Sequence, residues 1–215
     1  CHVLAIELFH HDLVRKLVQN MLWDSARLPP PFFQGDAIYS AGLIKALELS
    51  GNAHIHVVGS RRTEGPIDYS ALSRPHISHS EAPVSSRWRM MSLLTRSPQD
   101  AYTLATRELQ QEVKRLLKRK KWSWIVIDHA NSGGLLPVVE AYRGSAPVCY
   151  IAHNAESIIR PEIARTFGIT LRGSVMRWDA AKYRWLEQRL LKAANLVICI
   201  SDADARYFSR FHRNI

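Results

Sequence analysis

The chain has 215 residues, 47 % of them hydrophobic and 22 % charged, so it can bury a core of its own as a soluble globular protein. Lys and Arg number 29 against 19 acids, a net charge of +10, which favours anionic partners: nucleic acid, acidic lipid or phosphorylated substrate. The three cysteines form neither a disulfide framework nor a metal-ligand spacing; Cys149 and Cys199 sit in apolar runs as small thiols, and a reducing compartment fits.

In chain order, "HVLAIELF" (His2 to Phe9) reads as a first strand. Residues 10–34 read as irregular to helical and end in the breaker-rich "LPPPFFQGD". Asp36 can cap a helix whose stripe is Ala37, Ala41, Ile44 and Leu47, closed by Gly51. "AHIHVVGS" is a second strand, residues 61–68 a turn region, and "PHISHSEAP" a weaker third strand. Ser97, Pro98 and Asp100 open what reads as the longest helix, with the stripe Tyr102, Ala105, Leu109, Val113 and Leu116. "WSWIVIDH" is the fourth strand, and Asn131 can cap a short helix from Ser132 to Tyr142. "APVCYIAH" is the fifth strand. Tyr183, Leu186, Leu190 and Ala193 mark the buried face of a further helix, "NLVICIS" is the sixth strand, and Ser201 with Asp204 starts a last helix.

Strands separated by helices require crossovers, hence an α/β domain with a mostly parallel, doubly wound, Rossmann-like sheet covered on both faces. No apolar run is as long as a membrane span, and no signal-peptide pattern opens the chain. The first residue is not Met, so the sequence reads as a fragment.

In such sheets ligands lie outside the carboxyl ends of the strands. Four strand ends are polar here: the loop with Gly35 and Asp36; Asp128, His129 and Asn131; His153, Asn154 and Glu156; and Ser201 with Asp202. Each has a plain structural alternative. Gly35 before a helix can admit an anion or make a tight turn. His153 can face a ligand or bond a backbone carbonyl. Asn154 and Ser201 can be caps, and Glu156 is close enough to act on His153. Asp128 and His129 are adjacent, so only one can face a cleft unless the strand has ended. There is no GxGxxG and no P-loop lysine motif, so a self-contained dinucleotide or ATP site is not expected.

Two stretches concern surfaces. "SSRWRMMSLLTRS" mixes Arg87, Arg89 and Arg96 with Trp88, Met90, Met91, Leu93 and Leu94, and is either an amphipathic patch that lies on a membrane or grips a greasy acceptor, or a helix packed on the core with snorkelling arginines. Lys114, Arg115, Lys118, Arg119, Lys120 and Lys121 read first as a solvated helix end and second as an anionic-lipid contact. No aromatic stacking motif or helix-turn-helix accompanies the charge, so no nucleic-acid partner is expected.

Three runs resemble glycosyltransferase family 4 enzymes. "PPPFFQGDAIYSAGLIKALELSGNAHIHVV" resembles their glycine loop, first helix and second strand, with one glycine where many members have two. "VCYIAHNAES" resembles their strand ending in His-Asn-x-Glu-Ser, and "YRWLEQRLLKAANLVICISDADARYF" resembles the elements that close their N-terminal domain. The first 28 residues match less well, with a longer insertion after the first strand. The resemblance implies a single Rossmann-like N-terminal, acceptor-binding domain over residues 1–215, half of a GT-B fold whose donor-binding half is absent from this chain. It implies a retaining hexosyltransferase acting in polysaccharide biosynthesis, cytoplasmic or peripheral at the inner membrane face, and inactive as this fragment. A nucleotide sugar would be the donor, a glycan or lipid-linked molecule the acceptor, with no cofactor and no metal. By motif position His153 would face the transferred sugar as the catalytic residue, and Gly35 would lie near the donor phosphates. Asp36, Asp128, His129, Asn154, Glu156 and Ser201 would bind substrate. The alternative is a non-catalytic Rossmann-like binding or regulatory module.

Overall fold

The computed structural model describes residues 18–25, 35–61, 76–81 and 86–215. The described strands are β1 (Gln19–Ser25), β2 (Ala53–Arg61), β3 (His76–Glu81), β4 (Trp124–Asp128), β5 (Val148–Ala152) and β6 (Leu196–Cys199). They form one six-stranded parallel sheet in the order β3-β2-β1-β4-β5-β6. The order reverses between β1 and β4, the switch point where such sheets hold ligands.

The expected strand at residues 2–9 lies outside the described residues. The strand next to the glycine loop is instead Gln19–Ser25, within a stretch read as irregular to helical, and no long insertion separates it from that loop. Its pattern is hard to read because its apolar run is only three residues long, Met21 to Trp23, between Asn20 and Asp24. Met21 and Trp23 pack on one side and Leu22 on the other, without polar alternation.

The helices are α1 (Gly35–Leu49), α2 (Ser86–Leu93), α3 (Gln99–Leu104), α4 (Arg107–Arg119), α5 (Leu136–Tyr142), α6 (Glu156–Arg165), α7 (Leu171–Ala193) and α8 (Asp202–Phe208). α1 buries Ala41, Ile44 and Leu47 as its stripe predicts, and Gly51 at φ 72° turns the chain into β2. The helix opened by "RSPQDA" is two helices, not one. Thr106 is extended and its hydroxyl accepts from Leu109 N at 3.1 Å, capping α4 afresh. α7, with 23 residues, is the longest described helix. α6 was not anticipated; Pro161 within it argues against a helix, but it forms, with its first two N–H groups, of Glu156 and Ser157, donating to Glu187 of α7. Asn131 does not cap the 3₁₀ turn Ala130–Leu135. His129 does, its Nδ1 accepting from Asn131 N at 3.1 Å.

The core has two layers. Met21, Trp23, Val126, Cys149 and Ile151 pack under α1. Leu22, Ile125, Ile127, Tyr150 and Val197 pack on the other face with side chains of α4, α5, α7 and α8. Cys149 is fully buried and burial pushes its thiol far up; the Cys199 thiol is pushed up to about 12, so neither is a ready nucleophile. Among the described residues no helix is long and apolar enough to cross a membrane.

Candidate functional site

β4 and β5 are neighbours, so Asp128 and His153 leave the sheet side by side. The His153 Nε2 and Asp128 Oδ1 are 2.6 Å apart, and the indole N–H of Trp23 donates to Asp128 Oδ2 at 2.9 Å. A carboxylate only accepts, so it holds the proton on Nε2 and fixes the ring. His153 Nδ1 is buried and has no hydrogen-bond partner. His153 was expected to be solvent-accessible; it is 7 % exposed, because Tyr39 of α1 packs edge-on against its ring at 5.8 Å. It bonds a carboxylate and not the backbone, which is neither the open ligand-facing histidine nor the plain structural one.

The strand ends at Asp128, so His129 is not forced to the opposite side. Among the described residues His129 is the one non-glycine residue at positive φ, 80°, a conformation that costs about 1–3 kcal/mol. That turn brings its ring within 5.4 Å of the His153 ring. Because His129 Nδ1 accepts from a backbone N–H, its other nitrogen carries the proton and lies 3.5 Å from Glu156 Oε1. Burial holds the His129 pKa below the ordinary histidine value, against the opposing pull of Glu156. Glu156 therefore acts on His129, not on His153. Its other oxygen accepts from Arg160 Nε at 2.5 Å, and the Arg160 guanidinium lies over the Tyr183 ring.

Gly35 is the first residue of α1, exposed and with open space around it. Asp36 follows in the first turn, its Oδ1 accepting from Ala37 N at 2.8 Å, and its charge reaches His129. Asn154 is exposed at the turn after β5 and makes no side-chain cap; the cap position of α6 is Ala155. Ser201 is the cap of α8: it accepts from Asp204 N at 3.1 Å and donates to Asp204 Oδ2. It belongs to the same edge only through Asp204, which accepts from Ala155 N at 2.9 Å. The structure thus groups Asp128, His129, His153 and Glu156, and leaves Asn154 and Ser201 at the margin.

Several participants were missed. Trp23 would have been signalled by its indole, since a buried Trp needs an acceptor, but its strand went unread. Tyr39 stands one turn after Gly35, the spacing that shares a helix face. Asp24, on the other face of β1, is buried with Oδ2 unpartnered. Burial, with the Asp128 charge adding to it, raises its carboxyl well above the usual range. A small cavity of about 10 Å³, room for about one water, lies there between Asp24, Ser60, Leu104 and Asn131. Glu187 accepts from the backbone N–H groups of Glu156 and Ser157 at 2.7 and 3.0 Å, which caps α6 from another helix. Among the described residues no group of three or more His, Cys, Asp or Glu is arranged to hold a metal ion.

Residues 35–214 match the family model described as "Glycosyl transferase 4-like domain". No curated protein matches the chain. Among solved structures, Medicago truncatula UGT71G1 complexed with UDP-glucose aligns with a TM-score of 0.55 at 14 % identity, over 93 % of this chain and 49 % of its own. TcCGT1 in complex with UDP aligns with a TM-score of 0.54 at 9 % identity, over 89 % and 46 %. At such identities the likeness is one of fold: the Rossmann-like half of a GT-B glycosyltransferase. The chain spans about half the length of these proteins. Matched over most of its length, the chain belongs to the glycosyl transferase 4-like domain family.

Proposed function

We propose that this domain is the N-terminal, acceptor-binding half of a retaining, nucleotide-sugar-dependent glycosyltransferase whose acceptor is a glycan or a lipid-linked molecule. The observation that carries the reading is the Asp128–His153 pair at the carboxyl edge, beside the amino end of α1. With Nε2–H held by Asp128, Nδ1 is the unpartnered atom; it is buried beside Tyr39, and in the neutral ring it is an acceptor suited to a sugar hydroxyl once the Tyr39 ring swings aside. The amino end of α1, next to Gly35, suits the donor's phosphate oxygens and the charge that builds there as the sugar departs. His129 and Glu156 keep the cleft wall polar. The two nearby structures, whose names report bound UDP-glucose and UDP, support a uridine nucleotide as one donor to try first.

Transfer requires donor and acceptor held together, and that juxtaposition lowers the entropic part of the barrier. The test compares this chain with the whole product of its gene on a panel of nucleotide sugars and glycan or lipid-linked acceptors. The whole product should transfer sugar with retention, and the chain alone should give no enzyme-like turnover. Turnover by the chain alone would overturn the division of labour. A whole product inert towards every donor would favour the non-catalytic module.

A further inference from the structure

β1 lies between β2 and β4, so the carboxyl ends of the three strands adjoin. On the face away from α1 they surround Asp24, which shares that face with Leu22, two residues back. Ser25, the next residue, pairs with Asp128 of β4. Asp24 is 3 % exposed, and its Oδ2 has no hydrogen-bond partner. The small cavity beside it is also lined by Ser60 of β2, Leu104 at the end of α3, Leu109 of α4, and Asn131 and Ser132 of the turn after β4. Ser60, Asn131 and Ser132 are buried as well.

The bonds already made decide what each polar group can still offer there. The Ser60 hydroxyl donates to the Leu104 carbonyl, and the Ser132 hydroxyl donates to the Asp128 carbonyl at 2.7 Å, so each keeps only oxygen lone pairs. Asn131 Oδ1 accepts from the Tyr183 hydroxyl at 2.7 Å, which leaves its amide N–H groups to donate. Among the described residues no Lys, Arg or His lines the cavity, so an ionised Asp24 would be a buried anion without a counter-charge. Burial and the nearby Asp128 charge both favour a proton on it.

We propose that this cavity binds one water molecule, and that Asp24 holds it as a neutral carboxylic acid. The acid O–H and an Asn131 N–H donate to the water oxygen, and the water donates to the Ser60 and Ser132 hydroxyl oxygens. Two donors and two acceptors match the bonds a buried water makes, and about 10 Å³ is room for one. A monovalent cation fits worse, because it would meet the Asn131 N–H groups and would need an ionised Asp24. The water ties β1 and β2 to the turn behind the cleft wall, where Asn131 N donates to His129 Nδ1. A neutral Asp24 also keeps a second negative charge away from Asp128, the partner of His153. The inference stands whether or not the domain transfers sugar.

Two measurements on the chain test it. Infrared spectra at neutral pH should contain a carboxylic acid C=O band that is missing from Asp24→Asn. Glu187, whose carboxyl is also raised, contributes to both proteins and cancels in the difference. Oxygen-17 relaxation dispersion counts waters held longer than the protein tumbles. Asp24→Asn keeps a donor and an acceptor and should keep that count, whereas Asp24→Leu, of similar volume, should lower it by about one. Where Asp24→Leu does not fold, a high-resolution crystal structure of the native chain answers instead, with one ordered water in hydrogen-bond reach of both Asp24 and Asn131. The proposal is overturned by absence of the acid band, by a band that survives Asp24→Asn, by an unchanged count in folded Asp24→Leu, or by a sodium or potassium ion found in the cavity.

Discussion

His153 and Glu187 illustrate what a buried ionisable side chain does to its neighbours. His153 is tied through Nε2 to Asp128, and Asp128 is itself held by Trp23. The sequence marks His153 and Asp128 as ends of apolar strands, but the bond between them depends on β4 and β5 being neighbours, which no local pattern states. Glu187 was invisible for the opposite reason: on a helical stripe between Leu186 and Leu190 it reads as a surface acid, yet it is 2 % exposed and caps a different helix. Burial lifts its carboxyl from 4.5 to about 7, outweighing the two backbone bonds it accepts. The unfolded chain then loses this proton first. The stability tied to it is full below pH 4.5 and is lost as pH rises towards about 7, a total of about 3 kcal/mol. Glu187→Gln removes the titration. The melting temperature of the variant relative to the native chain should therefore rise across that window, whatever the constant offset from an altered cap. His129, with a lowered pKa, acts the other way, as its stability is lost when pH falls below the ordinary histidine value, so only the difference between the two proteins isolates Glu187. A difference independent of pH would mean Glu187 does not titrate there.

At the level of elements, the capping signals at Ser201 and Gly51 and the stripes of α1 and α7 were legible because they are local. The break between α3 and α4 was not, because the stripe from Tyr102 to Leu116 stays nearly in phase across it. The break is made at Thr106, whose hydroxyl caps α4 afresh; one turn earlier, Gly134, which follows β4, comes so close to α3 that a Cβ there would overlap the Ala101 carbonyl oxygen. Gly134→Ala should therefore destabilise by about 3 kcal/mol, since backbone must move to relieve the overlap. Gly42, in the exposed face of α1 with nothing near it, is the control; Gly42→Ala should stabilise by about 0.8 kcal/mol through helix propensity. Denaturant midpoints of the two variants should thus move in opposite directions. A neutral Gly134→Ala would mean that α3 is not pressed on the turn after β4.

For the whole molecule, strand alternation was enough to read a parallel, doubly wound sheet, and the motifs after Pro29 were enough to read the family. What could not be read was which strand came first, because Gln19–Ser25 has an apolar run of only Met21, Leu22 and Trp23 between polar residues, whereas β4 and β5 carry longer ones. The assembled sheet puts its switch point, the Asp128–His153 pair and the amino end of α1 at one edge, and the account rests on that edge being where the sugar is handled. The most direct measurement is kcat/KM for sugar transfer by the whole gene product carrying His153→Gln, taken with its melting temperature. Gln can keep a hydrogen bond to Asp128, but it removes the aromatic Nδ1 lone pair that is left for the ligand. The account predicts a fall of roughly a hundredfold in kcat/KM, the size expected when one well-placed polar contact at the reacting sugar is lost, with the folded state retained. Near-native kcat/KM in a folded His153→Gln enzyme would contradict it.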